Sequence, residues 1–367
     1  MGGLDQRLRA DLADLLLTDG VVHDSRWLKA FRDVPRHEFL PWFHRQQPDG
    51  TWERVDRRTP DWLSLVYADR VWVTQFNGDD TANDGIPTCS SSMPTIMAIM
   101  LEALDVHNGQ SVLEIGTGTG YNAALLCHAL GDERVTTVDV DIAVLARARE
   151  HLGRAGYHPV CVPGDGELGH PERAPYDRLL ATCSVSHIPN AWLEQVRPGG
   201  LVVTTLHRQI GAGLVRIVSN GDGTGEGRVL VEDGRFMPLR AHEHGVALGR
   251  TDPSEGRPTS LDAATVLDPG SPFEFFAGLA LNGVSAGQDR YGGAWFAHPD
   301  GSWARVRIGD GRSRVEQGGP RRLWDIAESA YEDWTALGRP RRHRFGITVE
   351  RHRQYLWLDD EHAWPLD

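Results

Sequence analysis

The stretch Ser111-Val112-Leu113-Glu114-Ile115-Gly116-Thr117-Gly118-Thr119-Gly120-Tyr121-Asn122 constrains this chain more than any other. The apolar run Val112 to Ile115 reads as a buried parallel strand. Ala123-Ala124-Leu125-Leu126, beyond the glycines, has helix-forming composition. Between them, three glycines at alternate positions make a tight turn. A residue without Cβ accepts unusual dihedrals there and lets a ligand approach the backbone. The helix N-terminus that follows presents free N–H groups to that ligand. A dinucleotide fingerprint would place its third glycine three positions after the second, whereas Gly116, Gly118 and Gly120 are evenly spaced. A second strand, Val135-Thr136-Thr137-Val138-Asp139, closes on a carboxylate suited to the ribose hydroxyls of a nucleoside. The pattern predicts an α/β fold built on a doubly wound sheet.

At 367 residues the chain is long for one domain and comfortable for two. It has no run of 18 apolar residues, so no membrane span is expected. The N-terminus lacks a basic start with an apolar core, and Gln6 breaks the myristoylation pattern after Gly2. Cys89, Cys127, Cys161 and Cys183 include no C-x-x-C pair. That spacing argues against zinc or a disulfide framework and for a reducing, cytoplasmic setting with no metal. A net charge of −13 argues against non-specific nucleic-acid binding. A monomer is the expectation.

Read in order, residues 4–31 carry apolar positions at helical spacing, and the prolines of Val34-Pro35-Arg36-His37-Glu38-Phe39-Leu40-Pro41 end that helical pair. Residues 45–60 are polar and turn-rich, which predicts a surface insertion, with a short helix from Asp61 to Val66. Asn77 to Gly85 reads as loop. Thr88-Cys89-Ser90-Ser91-Ser92-Met93-Pro94 is dense in small hydroxyls and precedes a helix marked by Met97, Met100, Leu101 and Leu104. A serine there is an ordinary helix N-cap, but this cluster exceeds what one cap requires. After Asp139 come a helix (Ala143 to Leu152), a strand (His158 to Val162) and Gly164-Asp165-Gly166, an acid-glycine turn able to hold an adenine amino group. Strand Pro175 to Thr182 leads to the loop Cys183 to Ile188, then a helix (Ala191 to Val196), a stop at Arg197-Pro198-Gly199-Gly200 and the strand Leu201 to Leu206. Residues 214–218 and 228–232 flank a hairpin turn. Residues 245–262 read as linker, Ser271-Pro272-Phe273-Glu274 as a capping box, and Leu323 to Leu337 as an amphipathic helix. Three further strands are expected around Trp303 to Ile308, Ile347 to Val349 and Tyr355 to Leu358.

The E-x-G-x-G-x-G of Glu114 to Gly120 resembles motif I of the class I S-adenosylmethionine (SAM) methyltransferases. Taken with Val34 to Phe39, Ser90 to Pro94, Val138-Asp139, Gly164-Asp165-Gly166, Pro175-Tyr176-Asp177, Ile188-Pro189, Arg197 to Gly200 and Arg235-Phe236-Met237-Pro238-Leu239, it is similar to the protein-L-isoaspartate O-methyltransferase family over residues 4–240. The resemblance implies a Rossmann-like doubly wound sheet with an N-terminal helical segment and a C-terminal α+β extension. In domains, it implies residues 1–100 (helices and active-site loop), 101–240 (SAM-binding core), 241–262 (linker) and 263–367 (accessory, peptide-binding). It implies SAM as cofactor, held by Glu114, Gly116, Thr117, Gly118, Asp139, Val140, Asp165 and Gly166. The family's T-x-S-x-P motif corresponds to Ser90-Ser91-Ser92-Met93-Pro94, which makes Ser92, Ser90 and Ser91 the catalytic candidates. Ser90 stands where threonine is usual. Thr88, Cys89, Ser184 and His187 are candidate substrate contacts.

The family methylates the α-carboxylate of isoaspartate in a peptide. Repair enzymes of this kind end near Leu239, and extended forms resemble methyltransferases that mature ribosomal peptides through an aspartimide. The first expectation is therefore esterification of an aspartate side chain in a constrained peptide, and the alternative is isoaspartate repair with an accessory domain. A non-catalytic SAM-binding scaffold and a methyltransferase of small free acids are further readings. In the extension, Trp295, Trp303, Trp324, Trp334 and Trp357 are either peptide contacts or core, and the basic run Arg339 to Arg344 either binds an acidic leader or is a solvated turn.

Overall fold

A computed structural model describes residues 3–242, 256–288, 292–309, 312–359 and 361–366. Three helices, α1 (Leu4–Thr18), α2 (Ser25–Asp33) and α3 (Arg36–Phe39), open the chain. Four strands follow: β1 (Trp42–Gln46), β2 (Trp52–Asp56), β3 (Trp72–Phe76) and β4 (Pro87–Ser91), with α4 (Trp62–Val66) between β2 and β3. They form an antiparallel sheet of order β2-β1-β3-β4. The expected insertion at 45–60 is thus largely the β1–β2 hairpin. Its polar residues face water, while Phe43 and Val55 are cross-strand partners buried in the core.

The central sheet is built from β5 (Val112–Ile115), β6 (Val135–Asp139), β7 (Val160–Pro163), β8 (Tyr176–Val185), β9 (Val196–Leu206), β10 (Gly213–Ser219) and β11 (Gly225–Val229). Its helices are α5 (Pro94–Leu104), α6 (Tyr121–Leu130), α7 (Ile142–Ala155) and α8 (Asn190–Gln195). Strands β7-β6-β5-β8-β9 run parallel, and β10 and β11 add an antiparallel edge. Arg197–Gly200, expected as a helix stop, lies inside β9, where pairing shifts from Tyr176↔Val196 to Arg178↔Leu201. Neighbouring residues of a strand serve opposite faces. Val112, Leu180 and Val203 join the core under the N-terminal helices, whereas Leu113, Leu179 and Val202 join the core shared with the C-terminal residues.

Those C-terminal residues comprise β12 (Arg257–Thr259), α9 (Ala263–Leu267), α10 (Glu274–Ala280), β13 (Ser285–Gln288), β14 (Ala294–Ala297), β15 (Trp303–Gly309), β16 (Arg312–Gly318), α11 (Leu323–Ala336), β17 (Phe345–Val349), β18 (Gln354–Leu358) and β19 (His362–Pro365). One five-stranded antiparallel sheet, β12-β16-β15-β14-β13, belongs to them alone. Strands β17 to β19 do not. They pair onto β11 and extend the central sheet to ten strands, so the expected division at residue 263 does not isolate a separate unit. The linker expected at 245–262 lies mostly outside the described residues, and its end is β12, paired with β16.

Two further expectations change. No capping box forms at Ser271-Pro272-Phe273-Glu274: α10 starts at Glu274, whose carboxylate accepts the Gly211 amide at 2.8 Å instead. Of the tryptophans, Trp303, Trp324 and Trp334 are buried. Trp295, Trp303 and Trp357 lie over the glycines opposite them, Gly287, Gly318 and Gly346, covering backbone that no Cβ shields.

Candidate active site

A cavity of about 530 Å³ opens at the C-terminal ends of β5, β6 and β8, beside the β5–β8 switch point where open α/β sheets bind ligands. The glycine turn forms its floor. Gly116, Gly118 and Gly120 have φ of +91°, +53° and +88°, a region that disfavours side chains. A Cβ on Gly116 would come within 2.7 Å of Thr182 Oγ1, which donates to the Gly116 carbonyl at 2.6 Å. Asp139 borders the cavity and accepts the Gly118 amide at 3.0 Å through Oδ2 and the Asp141 amide at 3.0 Å through Oδ1. Burial raises its pKa above the usual carboxylate range. Thr117, Val140 and Gly166 also border the cavity.

Two expected cofactor contacts sit elsewhere. Glu114 is fully buried and outside the cavity lining: Asn122 Nδ2 reaches Oε1 at 2.7 Å and Thr137 Oγ1 reaches Oε2 at 2.6 Å. It ties α6 to β6 beneath the turn, and burial pushes its pKa up to about 7. Asp165 is exposed and outside the lining, its Oδ1 accepting the Glu167 amide at 3.0 Å.

The hydroxyl cluster is strand β4 and the turn after it, not a helix cap. The cap residue of α5 is Met93, and the free amide of Thr95 is taken by Asp69 Oδ1 at 2.8 Å. Ser90 and Ser92 border the cavity and are partly exposed. Ser91 borders the cavity too but is buried, with its Oγ 3.5 Å from the guanidinium of Arg36. Thr88 is engaged with Gln75 Oε1 at 2.8 Å. Cys89 is buried, and burial drives its thiol to about 12, so it is a filler rather than a nucleophile.

Ser184 and His187, expected as substrate contacts, do not border the cavity. Ser184 Oγ donates to the Phe236 carbonyl at 2.9 Å, and its backbone brackets Met237 and Leu239. It therefore anchors the far wall, Asp233 to Arg240, which sequence reasoning did not place at the site. The Phe236-Met237-Pro238-Leu239 motif was the available signal. Pro269 completes that wall. Arg235 is held by Glu274 at 2.6 Å and Asp233 at 3.0 Å, and Arg342 pairs with Asp233 at 2.8 Å. The basic run 339–344 is accordingly no free patch, because Arg342 is built into this network and Arg344 pairs with Asp359.

His187 stacks on His242 with ring centroids 4.4 Å apart, and Glu167 brings a carboxylate oxygen near both. The donor set is poor for a metal. His242 Nδ1 accepts the Ser186 amide at 2.9 Å, which leaves the proton on Nε2, the nitrogen that faces Glu167.

A family model described as protein-L-isoaspartate(D-aspartate) O-methyltransferase matches residues 53–244. Proteins named protein-L-isoaspartate O-methyltransferase are similar in sequence. The one from Anaeromyxobacter dehalogenans is 35% identical over 192 residues, 50% of this chain and 90% of that one. The one from Pyrobaculum arsenaticum is 30% identical over 232 residues, 62% and 98% of the two chains. The chain spans half the length of the Thermotoga maritima relative, at 33% identity. A solved structure titled protein-L-isoaspartate O-methyltransferase shares the fold at a TM-score of 0.56 and 24% identity, over 96% of this chain and 99% of that one.

A glycine turn and an acidic second strand at the switch point of a doubly wound sheet define a class I SAM-dependent methyltransferase. Within that class, the chain belongs to the protein-L-isoaspartate(D-aspartate) O-methyltransferase family, whose members are SAM-dependent protein carboxyl methyltransferases. The cavity fits this cofactor. Asp139 offers a carboxylate beside the half-exposed Val140, and a Cβ on Gly118 would project into the gap before β4, 3.5 Å from the Ser90 carbonyl.

Proposed function

We propose that this protein methylates the α-carboxylate of L-isoaspartyl residues in peptides. The observation that carries the reading is the closeness of the two half-sites: the Ser90 carbonyl on β4 stands against Gly118 of the nucleoside-binding turn. Gly116, Thr117, Gly118, Asp139, Val140 and Gly166 would hold SAM, which supplies an electrophilic methyl group when bound. A carboxylate is ionised at neutral pH and needs no general base. What it needs is alignment, which Ser90 and Ser92 hydroxyls provide without competing as nucleophiles. A free cation would stabilise the charged carboxylate more than the neutralising transition state. Of the far wall's two arginines, Arg235 is balanced by Glu274 and Asp233, and the charge of Arg240 acts on Asp139.

The length beyond Leu239 favours peptide maturation at the level of sequence. It does not separate the two readings in three dimensions, because the fold likeness to a structure bearing the isoaspartate name runs through that region. Isoaspartate is therefore the substrate we assign. The test is incubation with SAM and paired Asp and isoAsp versions of one short linear peptide, followed by intact mass. Methylation of the isoAsp peptide alone supports the assignment. Reaction with neither, while SAM binds, points to an aspartate in a constrained peptide.

A further inference from the structure

Arg36 is fully buried on α3, and among the described residues no carboxylate lies within ion-pair distance of it. Its guanidinium is surrounded by oxygens. It donates to the carbonyls of Val66 at 2.9 Å, Ala68 at 3.0 Å and Arg70 at 3.1 Å, and to the Ser92 carbonyl at 3.0 Å. Ser91 Oγ is the fifth partner, at 3.5 Å. Burying an unpaired cation is costly, and carbonyl dipoles are the compensation found here. Even so, burial lowers its pKa to about 10. Two of the five acceptors belong to the serine motif. The other three fix the 66–70 turn, whose Asp69 binds the Thr95 amide and hydroxyl at the start of α5. Both ends of the Ser92-Met93-Pro94 turn thus depend on one side chain.

Peptide geometry adds a consequence. In a trans peptide the carbonyl and the following N–H point in opposite directions, and the Ser92–Met93 bond is trans. With the Ser92 carbonyl drawn onto Arg36, the Met93 N–H points away from Arg36, and Met93 is itself a residue of the cavity lining. That N–H donates to no protein group among the described residues.

We propose that Arg36 is a positioning residue for methyl transfer: it holds the Ser92–Met93 peptide so that the Met93 N–H and the Ser92 hydroxyl receive the substrate carboxylate. The inference rests on the carboxyl-methylation reading above and names the donor pair of that site. Lysine at position 36 keeps the charge but cannot span five acceptors in a planar fork.

The experiment compares wild type, Arg36→Lys and Arg36→Met for folding by circular dichroism and for kinetics with an isoAsp peptide. Selective 15N-methionine spectra are recorded alongside. The chain has five methionines, so the Met93 amide is assigned with a Met93→Leu control. A displacement of the turn by about 1 Å predicts a kcat loss of roughly 10²-fold in folded Arg36→Lys, with KM for SAM within about threefold. The Met93 resonance should shift in Arg36→Lys and, in wild type, on adding the isoAsp peptide. A folded Arg36→Lys with wild-type kcat and an unmoved Met93 signal overturns the proposal. If Arg36→Met does not fold, Arg36→Lys carries the comparison. If wild type methylates no isoAsp peptide, the substrate assignment fails. Arg36 is then judged on the Met93 signal alone, whose movement in Arg36→Lys supports the positioning role and whose constancy refutes it.

Discussion

Glu274, at the start of α10, meets Arg235 of the cleft wall at 2.6 Å, joining the C-terminal residues to the site. Both Glu274 oxygens face arginines, since Arg342 approaches the second at 3.7 Å. Replacing Glu274 by Gln keeps the amide contact to Gly211 but leaves two guanidinium groups less compensated. Breaking a buried pair costs about 3–5 kcal/mol. Arg235 is 39% exposed, so water takes up part of the loss, and about 2–3 kcal/mol is expected by urea unfolding. KM for peptide should rise while S-adenosylhomocysteine binding, measured by calorimetry, stays near wild type.

Ser92→Ala removes one proposed donor to the carboxylate. A hydrogen bond to a charged group contributes about 1.5–3 kcal/mol, which predicts a fall in kcat/KM of roughly 10- to 100-fold. Steady-state kinetics with full activity in this variant would refute the site assignment.

Glu114 gives a pH signature. Its pKa is about 7 in the fold against an ordinary value of 4.5, so between those values the folded state keeps a proton that the unfolded chain has lost. Stability is then fully favoured at low pH and declines as pH rises through that window, by about 3 kcal/mol at most. Glu114→Gln mimics the protonated form. Urea titrations should find it more stable than wild type at pH 8 and similar near pH 5.

At Gly116, alanine meets both a φ of +91° and an oxygen at 2.7 Å. Backbone strain of this kind costs about 1–3 kcal/mol. Calorimetry should show S-adenosylhomocysteine binding weakened by ~10-fold or more, since 1.4 kcal/mol is a factor of ten.

Cys89 borders the cavity with a thiol pushed to about 12 by burial. Maleimide at pH 7.5 should leave the enzyme active, and Cys89→Ala should keep activity within ~threefold, because a neutral buried thiol acts as a small hydrophobe. Inactivation blocked by that variant would contradict this.

The local code was readable where one residue type does one job. Gly116, Gly118 and Gly120 announced left-handed turns, and Asp139 announced a carboxylate at a strand end, because backbone conformation and strand order follow from neighbours in sequence. Glu114 misled for the opposite reason. Its place in the motif suggested ligand contact, yet Asn122 and Thr137, brought in by α6 and β6, occupy both oxygens. The serine motif was visible as a cluster, but that Ser91 is buried against Arg36 while Ser90 and Ser92 stay partly exposed follows from the β3–β4 pairing and from a residue more than 50 positions earlier in the chain.

By itself the sequence determined the doubly wound core, the nucleoside-binding turn and the hydroxyl-rich approach to it, since short-range propensity and spacing specify each. Tertiary structure alone decided that β17 to β19 complete the central sheet through pairing with β11. It also decided that Asp233 to Arg240 form the far wall and that Glu274 and Arg342 hold it. Those contacts join segments from tens of residues to somewhat more than a hundred apart, and burial, ion pairing and strand register select them only once the chain has packed.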